Sequence, residues 1–322
     1  MKKVSLIAIA TGVAFIFIAL IWSGFSWHRI QNDLQHISQK NYTEKQEIFS
    51  ANTIKRVNVN IDNVQVIIKT QTDNSHVRVA YFTSEDDKFT ITNSGDTVSV
   101  SRAKAADPHF LCFFRCIGTP GTITVYVPAD SIYAYSLTAD NAPVSFDNAA
   151  TLRTQTIHVE SSNSSAKLQH IAADGTIDLH SDNGSVQLRY VTATGKLSLT
   201  SSNASNELVN VQAPSIDSQA DNGSTSLDTV TATDLTAHTS NASITLTRLA
   251  AKHSTLTSDN GSVHGSLVGS KDDFAIKIGS SNGSIQLDGT KYDGAYFSGG
   301  NNAAQSLSVQ SSNSSIKLTF VK

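Results

Sequence analysis

Methionine, tryptophan, cysteine and charge are all scarce in this chain of 322 residues. Met1 is the sole methionine, and both tryptophans, Trp22 and Trp27, fall in the first thirty positions. A body without Met or Trp, and with few Glu or Lys to coat helices, is a poor fit to a helix bundle. Charged residues make up 16% of the chain, against roughly 25% in a soluble globular domain. That is too few for a disordered acidic or basic tail protein. Lys and Arg number 24 against 27 Asp and Glu, a formal net charge of −3. Without a concentrated basic field, nucleic acid is excluded as the main partner.

Cys112 and Cys116 are the two cysteines, within HFLCFFRCIG. A C-x₃-C pair needs two further ligands to hold zinc, and His109 alone does not complete the set. Outside the membrane a disulfide pinning this loop is the leading reading, with free thiols the other. The apolar tip around Phe110, Phe113 and Phe114 either packs on the neighbouring strands or meets a lipid or a partner.

From Val4 to Trp27 no residue is charged, long enough for the about 20 apolar residues of a membrane-crossing helix. The two Trp residues lie at its far end, where indoles favour the interface. A cleaved signal peptide would have a shorter apolar run and a small-x-small site; Gly24-Phe25-Ser26 is a poor one. The reading is therefore a single-pass anchor in the cell membrane. Lys2 and Lys3 place residues 1–3 in the cytoplasm and the carboxyl-terminal domain outside the cell. Residues 28–50 read as a polar tether.

The body repeats. Asn, a small residue and Ser recur at Asn163, Asn183, Asn203, Asn222, Asn241, Asn260, Asn282 and Asn313, in steps of 20, 20, 19, 19, 19, 22 and 31, with a weaker cousin at Asn141. Three residues after each Asn come Ala166, Val186, Ile244, Val263, Ile285 and Ile316, with Asn206 and Thr225 in the same column. Five after come Leu168, Leu188, Leu208, Leu227, Leu246, Leu287 and Leu318, with Gly265 in that column; four before come Val159, Leu179, Leu199, Leu256, Ile278 and Val309. Polar residues alternate with these, the period of strands. Each repeat thus holds two short strands and two corners, and neither strand can bury its apolar face alone. Stacking coils at ~4.8 Å merges the inward columns into one core. The fold expected is all-β: a parallel, right-handed β-solenoid over residues 131–322, about eight coils and on the order of 40 Å long. Asn is expected at the corner because it tolerates φ > 0, and its side chains can bond up the stack. Asp182, Asp221 and Asp259 precede the Asn in alternate coils, and Ser162, Ser202, Ser240 and Ser281 in the others, so the deeper period is nearly 39.

Residues 51–130 read as an antiparallel or mixed β cap over the first coil. The chain ends in IKLTFVK with no cap of its own, although Tyr292, Tyr296 and Phe297 in the long step could fold over that end.

The element ITVYVP, followed by serial Asn-Gly-Ser-Val/Ile-x-Leu units behind one amino-terminal membrane helix, resembles the bacterial putative adhesin family, a domain of unknown function with β-strand repeats. The resemblance covers about residues 50–322. It implies a β-solenoid at the cell envelope, often in Gram-positive bacteria, with links to envelope stress and no catalytic residues.

Other chemistry is thinner. The eight corner asparagines fit the N-x-[ST] glycosylation pattern, but turn chemistry already accounts for them. The calcium β-roll pattern has no match, and aspartates two coils apart stand ~9.6 Å from one another, too far to share an ion. Asp178 and Asp217 fall on one outward column at the outer edge of the ~6.5–9.5 Å of an inverting glycosidase pair, with nothing aromatic beside them to cradle a sugar. His180 and His238 share a column three coils apart. No metal or cofactor is indicated. The function expected is a non-enzymatic, membrane-anchored surface-binding protein meeting wall polymer or another envelope protein. The alternatives are an envelope scaffold or sensor that self-associates end to end and, third, a carbohydrate-active enzyme using Asp178 and Asp217.

Overall fold

The computed structural model describes residues 43–84, 87–102, 121–298 and 303–322. The anchor Val4–Trp27, residues 28–42 of the tether and the loop with Cys112 and Cys116 lie outside the described residues. Among the described residues no helix is long and apolar enough to cross a membrane. Strands dominate, and two single-turn 3₁₀ segments, Ala51–Thr53 and Lys271–Asp273, are the helical elements described.

Successive coils pair in parallel, in the register that the repeat dictates. Ile157 lies beside Ile177 and Val159 beside Leu179; on the next coil Ile177 lies beside Leu197 and Leu179 beside Leu199. After the corner, Ala166 meets Val186 and Leu168 meets Leu188. These side chains are buried and form one continuous cluster. Alternation places every second residue in that interior, and the parallel ladder satisfies the backbone groups that the core would otherwise strand.

Five successive coils bend once more than the two-corner reading expects. Seven residues after the Asn the chain takes a left-handed conformation, at His170 (φ 53°), Tyr190 (56°), Asn210 (54°), Thr229 (54°) and Arg248 (53°). The ladder steps over these residues, passing from Gln169–Arg189 to Ile171–Val191. A third inward run follows, such as Val191 and Ala193. Of the corner asparagines, only Asn63 (58°) and Asn141 (60°) are left-handed, so tolerance of φ > 0 is not why the others are Asn. Their backbone instead bonds along the stack: Asn183 N–H donates to Ser162 O at 3.0 Å and Asn203 N–H to Asp182 O at 2.8 Å.

The segment 51–130 is more than a cap. Arg56–Asp62 and Gln65–Gln71 form a coil with its own corner at Asn63, paired in parallel with Tyr133–Asp140 and Val144–Phe146. On its other side lies a coil made of Thr97–Arg102 and Thr122–Pro128, again parallel. Antiparallel strands cover that outer coil: Phe89–Ser94 on Thr97–Arg102, and His76–Thr83 on Thr122–Pro128. Thr43–Ser50, the end of the expected tether, is a strand beside His76–Thr83.

The carboxyl end repeats this arrangement. The last coil, Gln305–Ser311 and Ile316–Val321, does not finish the stack. It sits between the Asn260 coil and the Asn282 coil. IKLTFVK is thus paired on both edges, which removes the motive for end-to-end assembly through it. The Asn282 coil is outermost, and antiparallel strands Ala295–Ser298 and Thr290–Tyr292 cover it. Tyr292 and Tyr296 pack there with ring centroids 4.3 Å apart. Antiparallel covers of this kind blunt the open edge of a sheet.

The Asn141 coil carries the bulkiest core. Tyr133, Tyr135 and Phe146 meet edge to face, with centroids 6.4 and 5.1 Å apart. Tyr135 Oη is buried without a hydrogen-bond partner among the described residues, and burial pushes its phenol well above the ordinary 10.0. Tyr135→Phe is therefore expected to stabilise the protein by about 1 kcal/mol at neutral pH, because it removes a desolvated hydroxyl. The sign with pH follows from linkage. A phenol whose folded value exceeds its unfolded one contributes fully below the unfolded value of 10.0, and that contribution is lost as pH rises above it. The advantage of the Phe variant should widen above pH 10 in urea melts, while Tyr133 and Tyr81, raised in the same direction by burial, leave a residual slope in both proteins.

Candidate functional site

The corner asparagines form one ladder of side-chain amides. Asn163 Nδ2 donates to Asn141 Oδ1 at 2.7 Å, Asn183 to Asn163 at 2.8 Å and Asn203 to Asn183 at 2.8 Å. Asn222, Asn241 and Asn260 continue it at 2.8, 2.7 and 2.9 Å. Asn313 then donates to Asn260 and Asn282 to Asn313, both at 2.8 Å. The ladder follows the stack rather than the chain. Replacing an interior rung removes two such bonds and replacing the end rung removes one. Asn203→Ala is expected to cost about 1–2 kcal/mol and Asn282→Ala about half of that, read from denaturant midpoints; equal losses would sever the effect from the ladder.

Two kinds of hydroxyl bonding occur beneath these amides. In one, a buried serine two residues before the Asn accepts from the glycine N–H that follows the Asn and donates to a carbonyl of the adjacent coil. Ser181 takes Gly184 N–H at 3.0 Å and gives to Ser164 O at 3.0 Å; Ser258 does the same with Gly261 and Ala242 O. In the other type the hydroxyl serves its own coil, as Ser161 with Ser164 O at 2.8 Å and Thr239 with Ala242 O at 2.5 Å. Flanking serines serve backbone amides, Ser205 and Ser243 accepting from Ser224 and Ser262 N–H at 3.2 Å. Beside them an inward column two residues before the Asn, Ser161, Ser181, Ser201, Thr239, Ser258, Ser280 and Ser311, supplies further hydroxyls.

The face leading into the Asn corner presents two outward columns. One runs from Ser99 and Asn58 through His158, Asp178, Ser198 and Asp217 to Ser308 and Lys277. The other passes through Glu160, His180, Thr200, Gln219 and His238. Among the described residues, Lys277 is the one Lys or Arg in either column. Asp178 and Asp217 do share a column, with Ser198 between them, and each is engaged by a neighbouring coil. His158 Nδ1 lies 3.2 Å from Asp178, with its Nε2 3.2 Å from Glu160, and Lys196 Nζ lies 3.0 Å from Asp217. Arg189–Glu207, Arg153–Asp174 and Lys69–Asp147 likewise join different coils. The charges act chiefly as lateral ties, each at least partly exposed and of modest energy. His180 faces Asp182 at 3.1 Å, and His238 stands three coils along the same column. Among the described residues, no three His, Cys, Asp or Glu side chains converge on a metal position.

Tyr190 is half-exposed, and His170 stacks on it with centroids 5.0 Å apart and planes 8° apart. This pair, missed in the sequence because it sits on the left-handed bend, has its ring faces turned to each other along the stack.

No curated protein matches the chain. Solved structures do, at low identity. A putative lipid binding protein from Parabacteroides distasonis is 9% identical, with 88% of this chain and 98% of that one covered and a TM-score of 0.53. A putative adhesin from Bacteroides fragilis is 12% identical, with 87% and 97% covered and a TM-score of 0.43. One from Parabacteroides distasonis is 12% identical, with 88% and 98% covered and a TM-score of 0.38. At 9% identity the first of these bears on the fold and not on activity. Residues 54–319 match the Toastrack DUF4097 family model, from the Asn63 coil to the last strand, and the chain belongs to that family, whose function is unknown.

Proposed function

We propose that this is a non-enzymatic surface-binding protein of the bacterial cell envelope, held by the segment 4–27 with its right-handed coil stack outside the cell, where it meets wall polymer or another envelope protein and works in envelope stress. The observation that supports this reading is the leading face. Its two outward columns keep register from coil to coil and consist mainly of Ser, Thr, Asn, Gln and His. A polymer laid along such a lattice gains many modest hydrogen bonds, none dominant. Crosslinking in intact cells, through photoreactive residues at Thr200 and Thr255, tests it. Capture of wall glycan or of one envelope protein is the expected result; measurable turnover of wall polymers by the purified protein would falsify the non-enzymatic reading.

A second reading, a carbohydrate-active enzyme, is favoured by one observation, the shared column of Asp178 and Asp217. If it holds, the double variant Asp178→Asn with Asp217→Asn abolishes turnover while leaving the melting temperature near that of the parent.

A further inference from the structure

Among the described residues, the Asn63 coil and the Asn313 coil each lie one layer in from an end of the stack. The Asn63 coil, first in sequence, is bonded on one side to Thr97–Arg102 and Thr122–Pro128 and on the other to Tyr133–Asp140 and Val144–Phe146. Its entry point is tied as well: Lys55 N–H donates to Asp96 O at 2.8 Å, and Lys55 O accepts from Ala134 N–H at 2.9 Å. By contrast Thr43–Ser50, just before it, has a single neighbour among the described residues and is exposed along most of its length.

We propose that the stack is built to carry tension delivered through its amino end, with the Asn63 coil as a clamp and Thr43–Ser50 as a yielding extension. A load along the strand Arg56–Asp62 shears two ladders together. A load along the stack axis cannot peel that strand away alone, because the coil of Thr97–Arg102 and Thr122–Pro128 and its antiparallel cover lie outside it. In either direction, many hydrogen bonds break at once, whereas an edge strand yields bond by bond. The first event under load is release of Thr43–Ser50, which lengthens the chain by about 3.4 Å per residue before the load reaches Ala51, which is buried and tied to Ser75 O. The source of the load, a membrane anchor at one end and a bound surface at the other, rests on the function proposed above; the resistance itself does not.

Optical tweezers on the full-length chain in detergent test this, with azide-bearing residues introduced as attachment points. One geometry pulls between Thr43 and Thr236. The other pulls between Asp293 and Thr236 and so loads the outer strand Ala295–Ser298, which is bonded to one neighbour among the described residues. The expected record in the first geometry is a short low-force step followed by a rupture at about twice the force of the second, since two ladders are loaded in place of one. Equal or inverted rupture forces overturn the clamp, and a single rupture with no early step overturns the yielding strand. A protein that binds no surface would still give the same forces, so failure here and failure of the proposed function are told apart.

Discussion

Gly223→Ala is expected to destabilise the protein by about 3 kcal/mol or more, at the top of what overpacking usually costs. The glycine is not there for an unusual φ. A Cβ at Gly223 would overlap the backbone carbonyl of Ala204 on the adjacent coil, and Gly184, Gly261 and Gly283 meet Ser164, Ala242 and Ser314 in the same way. No flexible side chain can move aside to relieve it. The reverse change on an intervening coil, Ala204→Gly, adds only the backbone entropy of a glycine, roughly 0.5–1 kcal/mol. Urea denaturation of the two variants checks the pair. Losses of similar size would mean that the corners do not approach as closely as the coil spacing requires.

Removal of residues 303–322 should do more than shorten the stack. Those residues form the layer on which the Asn282 coil rests. Without them the strand Phe274–Ser280 loses its parallel partner and keeps only the antiparallel cover of Ala295–Ser298. Amide exchange across Phe274–Ser280 is expected to quicken by about a thousandfold, equivalent to ~4 kcal/mol of local stability. The Asn282 coil could in principle drop onto the Asn260 coil, since their aliphatic columns agree. That would place Gly283 over Gly261, two glycine corners in succession, in place of its present contact with the backbone of Ser314. Unchanged protection in the truncated protein would show that such re-seating happens and that the threaded layer is dispensable.

The columns that carry the core were legible because burial imposes a period of two on the strands and stacking imposes a period of about 20 on the chain. Val159, Leu179 and Leu199 announce themselves in this way. The Asn63 coil obeys the same columns, with Val59 before the corner and Val66 and Ile68 after it. It was hidden because residues 72–132 intervene before the next coil and because Val64 and Gln65 replace the small residue and the serine. The left-handed bend left no signature: His, Tyr, Asn, Thr and Arg occupy it in turn, so the ladder enforces that conformation against local preference. As for the candidate site, the asparagine ladder could be anticipated from repetition alone. The pairing of Asp178 with His158 could not, because it depends on rotamers that no spacing reveals. The threading of the last coil did leave one trace. Asn260-Gly261 and Asn282-Gly283 are successive glycine corners in sequence, and Asn313-Ser314 is the piece that restores alternation once it lies between them.

That alternation sets a rule for how such a protein can change length over evolutionary time. Duplicating one winding of about 20 residues would set two like corners against each other, leaving either a void or a collision. Copying a pair, nearly 39 residues, reproduces the local environment at every seam. Lineages descended from this design should therefore differ by even numbers of windings, and odd differences should coincide with altered residues at the junction.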